Sequence, residues 1–243
     1  SSCTQAKCAI MNNTEFLEAV AKSFREFVYS GTSRSTAKLK PLHGAIAADI
    51  ADRLGDDYEI CSQGYGDDKE ADIRGRYIDK KVDITIKHCG EAIAGIGVKF
   101  VMQNYSQNSN NYFENMLGET ANIRCSGSPY FQIFIILDRL PYYNNEKQIK
   151  KWETFSEHNA EKYSILSNDN AGRYLHTPDK TLIYVVHIPE NDELGNKDEY
   201  MAYYKTHLVM TLAQNKGLDF GKGVILNDYE TFAEKLYHRL MSL

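Results

Sequence analysis

Residues 129–137, PYFQIFIIL, run from a proline through eight residues without one charge. Nine residues are too few for a membrane span and suit one strand whose two sides are both apolar. Such a strand needs a layer above it and a layer below it, so the chain has to supply helices for both faces of a sheet. Helical spacing is present where this requires it. Phe16, Leu17, Val20, Phe24, Phe27 and Val28 share one face of a helix that Thr14 can cap, and Leu42, Ile46, Ile50 and Leu54 recur every four residues before Gly55. TLIYVVHIP reads as a second buried strand and GKGVIL as a short one. NEKQIKKWETFSEHNAEKYSIL, DEYMAYYKTHLVMTLAQ and DYETFAEKLYHRLMSL read as amphipathic helices, and residues 56–71 as turns. The expectation is an α/β fold with a central mixed β-sheet flanked by helices. It forms one domain over residues 1–243, with a helical part at 14–55, a core at about 72–140 and an α/β part at 145–243.

The remaining strands carry a puzzle. KKVDITIKHCGEAIAGIGVKF (80–100) alternates like a hairpin, yet Asp83 and Lys99 interrupt its apolar rows. An unpaired charge inside a sheet costs several kcal/mol, roughly, so this pattern points to a binding or reacting centre. A three-residue turn at Cys89, Gly90 and Glu91 would set Asp83 opposite Gly97 and Lys99 opposite Lys81, with both charges on one face. A two-residue turn would put them on opposite faces. An aspartate beside a lysine suits metal-assisted phosphodiester hydrolysis: the carboxylate ligates Mg2+, and the ammonium orients a water or meets developing charge. A single carboxylate is a poor Mg2+ site, so a second acid is expected nearby.

The net charge of -5 excludes a global attraction to polyanions and leaves local patches to do that work. Residues 27–48 contain Arg34, Lys38 and Lys40 but no acid, as either a nucleic-acid-facing segment or an ordinary solvated loop. The stretch after Lys99 is rich in Gln103, Asn104, Gln107, Asn108, Asn110 and Asn111, whose amides suit adenine edges or merely cap the helix expected from about Asn110 to Ile123. Five cysteines without CxxC spacing argue against a disulfide framework and a structural zinc site and suggest a reducing, cytoplasmic setting. Neither a membrane span nor an export signal is expected, and the polar N-terminal SSCTQAKCAI reads as frayed.

VD at 82–83 and GVK at 97–99, in a strand–hairpin–strand–helix–strand order, resemble the PD-(D/E)XK nuclease superfamily. The resemblance covers about residues 72–140. It departs from the pattern at Val82, which stands for the proline, and at Gly97, which stands for the second metal-binding acid. Some restriction enzymes of that superfamily take the missing carboxylate from the following helix, which offers Glu114, the nearer in spacing, and Glu119. The resemblance implies a Mg2+-dependent type II restriction-like endonuclease that cuts double-stranded DNA as a homodimer. Asp83 and Glu114 would hold the metal, with Glu119 as rival, and Lys99 would position the water. Arg34, Lys38, Lys40, Gln103, Asn104 and Asn108 would face DNA, and Tyr200, Tyr203, Tyr204 and Tyr237 would either offer surface for association or belong to the core. Gly97 equally suits a non-catalytic DNA- or protein-binding module on the same fold, and a structure-specific repair or recombination nuclease differs only in substrate. His43 is an accessory candidate or a structural histidine, and Glu70 and Asp72 are alternative ligands or solvated charges. Arg74, Arg76, Lys80 and Lys81 form a possible phosphate-facing edge, and GKG at 221–223 lacks the rest of a phosphate loop.

Overall fold

The computed structural model describes residues 10–30, 36–214, 218 and 220–243. Strand β6 (Tyr130–Leu137) is buried at all eight positions and lies between two parallel neighbours, β5 (Glu91–Val101) and β9 (Lys180–His187). The protein is accordingly α/β. A seven-stranded mixed sheet runs β1 (Tyr58–Ser62), β4 (Ile84–His88), β5, β6, β9, with β10 (Thr211–Leu212) and β11 (Val224–Leu226) sharing the outer edge of β9. Pairing is antiparallel from β1 to β5 and parallel from β5 to β9. Two ribbons stand off the sheet, β2 (Ala71–Ile73) with β3 (Lys80–Val82), and β7 (Arg139–Tyr143) with β8 (Ile149–Thr154).

Side chains alternate across the pleat, and each face has its own helices. Phe131 meets Phe232 of α6 (Tyr229–Met241), while Tyr184 and Phe100 meet Phe16 and Phe24 of α1 (Asn13–Ser30). Helix α2 (Lys40–Leu54) joins this layer beside α1, after a 3-10 turn at Thr36–Leu39. The opposite face carries Gln132 and Phe134, under α3 (Tyr105–Arg124) and α4 (Glu157–Asn168), where Phe113 and Phe134 both pack on Tyr163. Helix α5 (Lys197–Thr206) lies against α1. Among the described residues no helix is long and apolar enough to cross a membrane.

Several expectations needed correction. Helix α1 is capped by Asn12, not Thr14: Asn12 Oδ1 accepts from Glu15 N at 2.8 Å, and Glu15 Oε1 accepts from Asn12 N at 3.3 Å, a reciprocal box. The turn-like 56–71 contains β1. The segment expected as helix from Asn145 begins instead with β8, whose charged Lys150, Lys151 and Glu153 belong to a ribbon, and becomes helical only at Glu157. The helix expected in DEYMAYYKTHLVMTLAQ ends at Thr206, short of β10. Tyr200 and Tyr204 are core residues, 4.7 Å apart between ring centres with Phe24 against both, so they offer no surface for association. The polar N-terminus through residue 9 and Arg34 lie outside the described residues.

Candidate active site

The β4–β5 hairpin turns on two residues, not three. Cys89 (φ 52°) and Gly90 (φ 79°) both have the positive φ of a tight hairpin turn, and His88 pairs with Glu91. On that count alone Asp83 and Lys99 would part. A β-bulge intervenes, because Lys87 pairs with Ala92 but Ile86 with Ala94, leaving Ile93 as an extra residue on β5. The bulge restores the expected facing: Ile84 pairs with Ile96, so Asp83, one residue before β4, comes level with Gly97. Lys81 is not the partner of Lys99; it pairs with Asp72 on β2.

Asp83, Gly97 and Lys99 therefore open on the face covered by α3, and all three line a cleft of about 180 Å3. Helix α3 contributes Tyr112, Asn115, Met116 and Glu119, one helical stripe, and β6 contributes Tyr130 and Gln132. Glu119 is thus the acid that enters the cleft. Glu114, expected first, is exposed and does not line it. The difference is one of helical phase. Helix α3 begins at Tyr105 rather than near Asn110, because Glu153 of β8 accepts from Tyr105 N (2.9 Å) and Ser106 N (3.0 Å) and so caps it from a distance.

The missing acid at position 97 has a steric counterpart. A Cβ on Gly97 would stand 2.1 Å from Tyr130 Oη and 2.6 Å from Gln132 Oε1, far inside contact distance. The Tyr130 phenol occupies that space and donates to Glu119 Oε1 at 2.5 Å, and burial followed by the Glu119 charge holds this phenol well above its ordinary pKa. Lys80 Nζ stands 3.9 Å from Glu119 Oε2.

Asp83 Oδ2 accepts from Val98 N at 2.7 Å, while no described residue hydrogen-bonds its Oδ1. Burial pushes the Asp83 carboxyl up from the usual carboxylate range, against the opposing pull of the Val98 N–H and of Lys99. Lys99 reaches solvent at the cleft mouth, yet enclosure of its ammonium lowers its pKa and Asp83 only partly offsets this. Its Nζ sits 4.4 Å from the centre of the Tyr112 ring, which fixes the direction of the side chain. Glu70 lies close enough for the Asp83 charge, after burial, to raise its pKa; Asp72 is exposed on β2. His43 is buried, which lowers its pKa to about 4 and keeps it neutral, and its Nε2 meets no partner among the described residues.

The residues expected to face DNA divide. Lys38, Gln103, Asn104 and Asn108 line a second cleft of about 280 Å3 that shares Lys99 and Tyr112 with the first. Lys38 is buried there, and burial together with the charges of Lys99 and Lys197 lowers its pKa. Asn104 is committed to structure: it sits at φ 50° before α3, its Oδ1 accepts from Tyr143 N at 2.7 Å, and its Nδ2 donates to Tyr143 O at 3.1 Å. Its amide is not available to a base edge. Lys40 is turned to Asp68, at 2.8 Å.

Among the described residues no three His, Cys, Asp or Glu side chains cluster as a metal cage. Mg2+ does not require one, since it keeps several waters and is usually held by one or two carboxylates. A half-buried carboxylate with one oxygen unengaged, and a second acid lining the same cleft, fit that demand. Tyr130 was not among the expected site residues, and the space beside Gly97, expected to admit a carboxylate, is taken by its phenol. The signal for Tyr130 was its place two residues before Gln132 on the continuous apolar strand, where a hydroxyl and an amide on one face imply a shared polar neighbour. Comparison with family models, with curated proteins and with solved structures found no match to this chain.

Proposed function

We propose that this protein is a Mg2+-dependent endonuclease of double-stranded DNA, of the type II restriction kind, with Asp83, Lys99 and Glu119 at its centre. The observation that carries the reading is the convergence of these three side chains in one cleft, with Glu119 arriving from α3 over a strand position where an acid has no room. The order of elements, with Asp83 ahead of a hairpin, GVK on its second strand, then α3 and β6, supports the same reading. Asp83 and Glu119 would hold the ion, which when bound supplies charge neutralisation at the phosphate and a more acidic water. Asp83 is aimed by the Val98 N–H, and Glu119 by the Tyr130 phenol. Lys99 is the group that meets the attacking water or the developing phosphate charge. Its lowered pKa makes it a readier proton donor than a solvated lysine. Cutting both strands calls for a homodimer, whose contact surface excludes Tyr200 and Tyr204.

The test is digestion of phage and plasmid DNA with and without Mg2+. Discrete fragments are expected from the wild type, and at least a 100-fold loss from Asp83→Ala and from Lys99→Ala with DNA binding retained, in line with the roughly 100-fold or larger cost of deleting a group that acts on the transition state. Glu119→Gln should lose activity and Mg2+ affinity while Glu114→Gln keeps both. Wild-type rates in the Asp83 variant refute the assignment. DNA binding without any nicking by the wild type selects the non-catalytic module, and preference for branched over linear duplex selects the repair or recombination nuclease.

A further inference from the structure

Between β2 and β3, residues 74–79 form a loop whose most prominent side chains are apolar: Tyr77 is 81% exposed and Ile78 60%. Large apolar groups are seldom paired in full view of water without a purpose. This loop is also held in shape. Asn122 of α3, only 8% exposed, accepts from Tyr77 N (3.0 Å) and Ile78 N (3.3 Å), donates to Ile78 O (2.8 Å), and accepts from Arg76 N through its own carbonyl (2.7 Å). Ser126 Oγ donates to Arg74 O at 2.6 Å. Gly75 is enclosed so tightly that a Cβ would stand 2.0 Å from Ile78 O. The backbone is thus fixed before any partner arrives, and the order is spent on presenting two apolar side chains outward.

The surroundings identify the partner. The stretch RGRYIDKK (74–81) holds four cations, Arg74, Arg76, Lys80 and Lys81, against one acid, Asp79. Neither arginine forms an ion pair with a described residue. The loop also stands beside the cleft, because β3 runs directly into Asp83, Lys80 approaches Glu119, and Asn122 lies one turn beyond Glu119 on α3. From Tyr105 to Asn122 the helix spans about 26 Å, roughly the axial length of seven or eight base pairs. The cleft residues fall between those ends.

We propose that Tyr77 and Ile78 form a preorganised apolar wedge that enters the base stack of duplex DNA beside the cleft, with Arg74 and Arg76 on the flanking phosphates. The proposal rests on the nuclease reading above and names how that site engages its substrate. Apolar side chains inserted from a groove unstack a step and bend the duplex, and each stacked contact strengthens binding in a largely sequence-tolerant way.

The test uses the full chain carrying Asp83→Ala, so that DNA is bound and not cut, against plasmid DNA. Permanganate oxidation should reveal hyperreactive, unstacked thymines in the complex. Adding Tyr77→Ser and Ile78→Ser should abolish that reactivity and weaken binding about 10- to 100-fold, the loss expected for one stacked contact. The exposure of both side chains predicts an unchanged melting temperature, a control that separates lost contact from lost fold. Unaltered affinity and reactivity in the loop variant overturn the wedge while leaving the nuclease reading intact. Weakened binding with no unstacking in the parent complex also overturns it. No DNA binding by the Asp83→Ala chain overturns the nuclease reading itself.

Discussion

Gly97 offers a test of how the site is built that needs no substrate. Gly97→Ala adds one carbon 2.1 Å from Tyr130 Oη and 2.6 Å from Gln132 Oε1, where ordinary contacts lie near 3.5–4.0 Å. Tyr130 is buried on a strand covered on both faces, so its ring cannot yield without straining its bond to Glu119. Overpacking of this kind costs about 1–3 kcal/mol, and a lost hydrogen bond to a charged group about 1.5–3 kcal/mol; the partly exposed Glu119 recovers some of the latter from water. A destabilisation of about 3 kcal/mol is expected for Gly97→Ala and about 1–2 kcal/mol for Tyr130→Phe. The double variant removes the worst contact and leaves the ring Cζ at 3.2 Å and the Gln132 amide oxygen at 2.6 Å, the end of a side chain that can rotate aside. It should therefore be destabilised by about 2 kcal/mol less than the sum of the two single variants. Urea denaturation of the four proteins measures this coupling. Additivity to within about 0.5 kcal/mol would mean that the phenol does not exclude a side chain at 97, and the account of the absent acid would fall. By the same steric argument, Gly97→Glu should not rescue Glu119→Gln.

Two further outcomes separate charge from architecture. Burial raises the Asp83 pKa above its unfolded value, so the folded state holds the proton more tightly and stability falls as pH rises from the unfolded pKa through the folded one. In metal-free buffer Asp83→Asn should therefore melt higher than wild type at neutral pH, with the gap closing below about pH 4; a gap that widens on acidification refutes the assigned cause. Asn104→Ala should destabilise by about 2–3 kcal/mol, from two lost hydrogen bonds to Tyr143 and a left-handed backbone that alanine tolerates poorly. Calorimetry with a DNA-binding assay checks that the folded fraction of this variant binds as wild type.

The layering was legible because β6 states it locally: eight successive buried residues admit no arrangement but a strand covered twice. The faces of Asp83 and Lys99 were legible as well, though by two errors that cancel. A three-residue turn without a bulge and a two-residue turn with one give the same facing, and nothing local distinguishes Ile93 as the extra residue. What could not be read were effects set by distant partners. The Asn-rich start of α3 looks like a loop until Glu153, 48 residues beyond Tyr105, caps it, and the side of the helix that faces the sheet is set by contacts of Phe113 with Tyr163 and of Glu119 with Tyr130. The ribbon of β7 and β8 failed for a related reason, since short edge strands facing water carry the same charged residues as a helix surface.

The bulge at Ile93 also decides where the segment between the two central charges can change length. Losing Ile93 itself would close the bulge, make Lys87–Ala92 and Ile86–Ala94 successive pairs and leave Asp83 level with Gly97. A residue lost beyond the bulge, between Ala94 and Lys99, would instead part the two charges for as long as the bulge persisted, or else turn Ile96, Val98 and Phe100 out of the core. Drift near the hairpin tip should therefore be absorbed where the bulge can close, and punished beyond it, where the register of Asp83 against Gly97 is set.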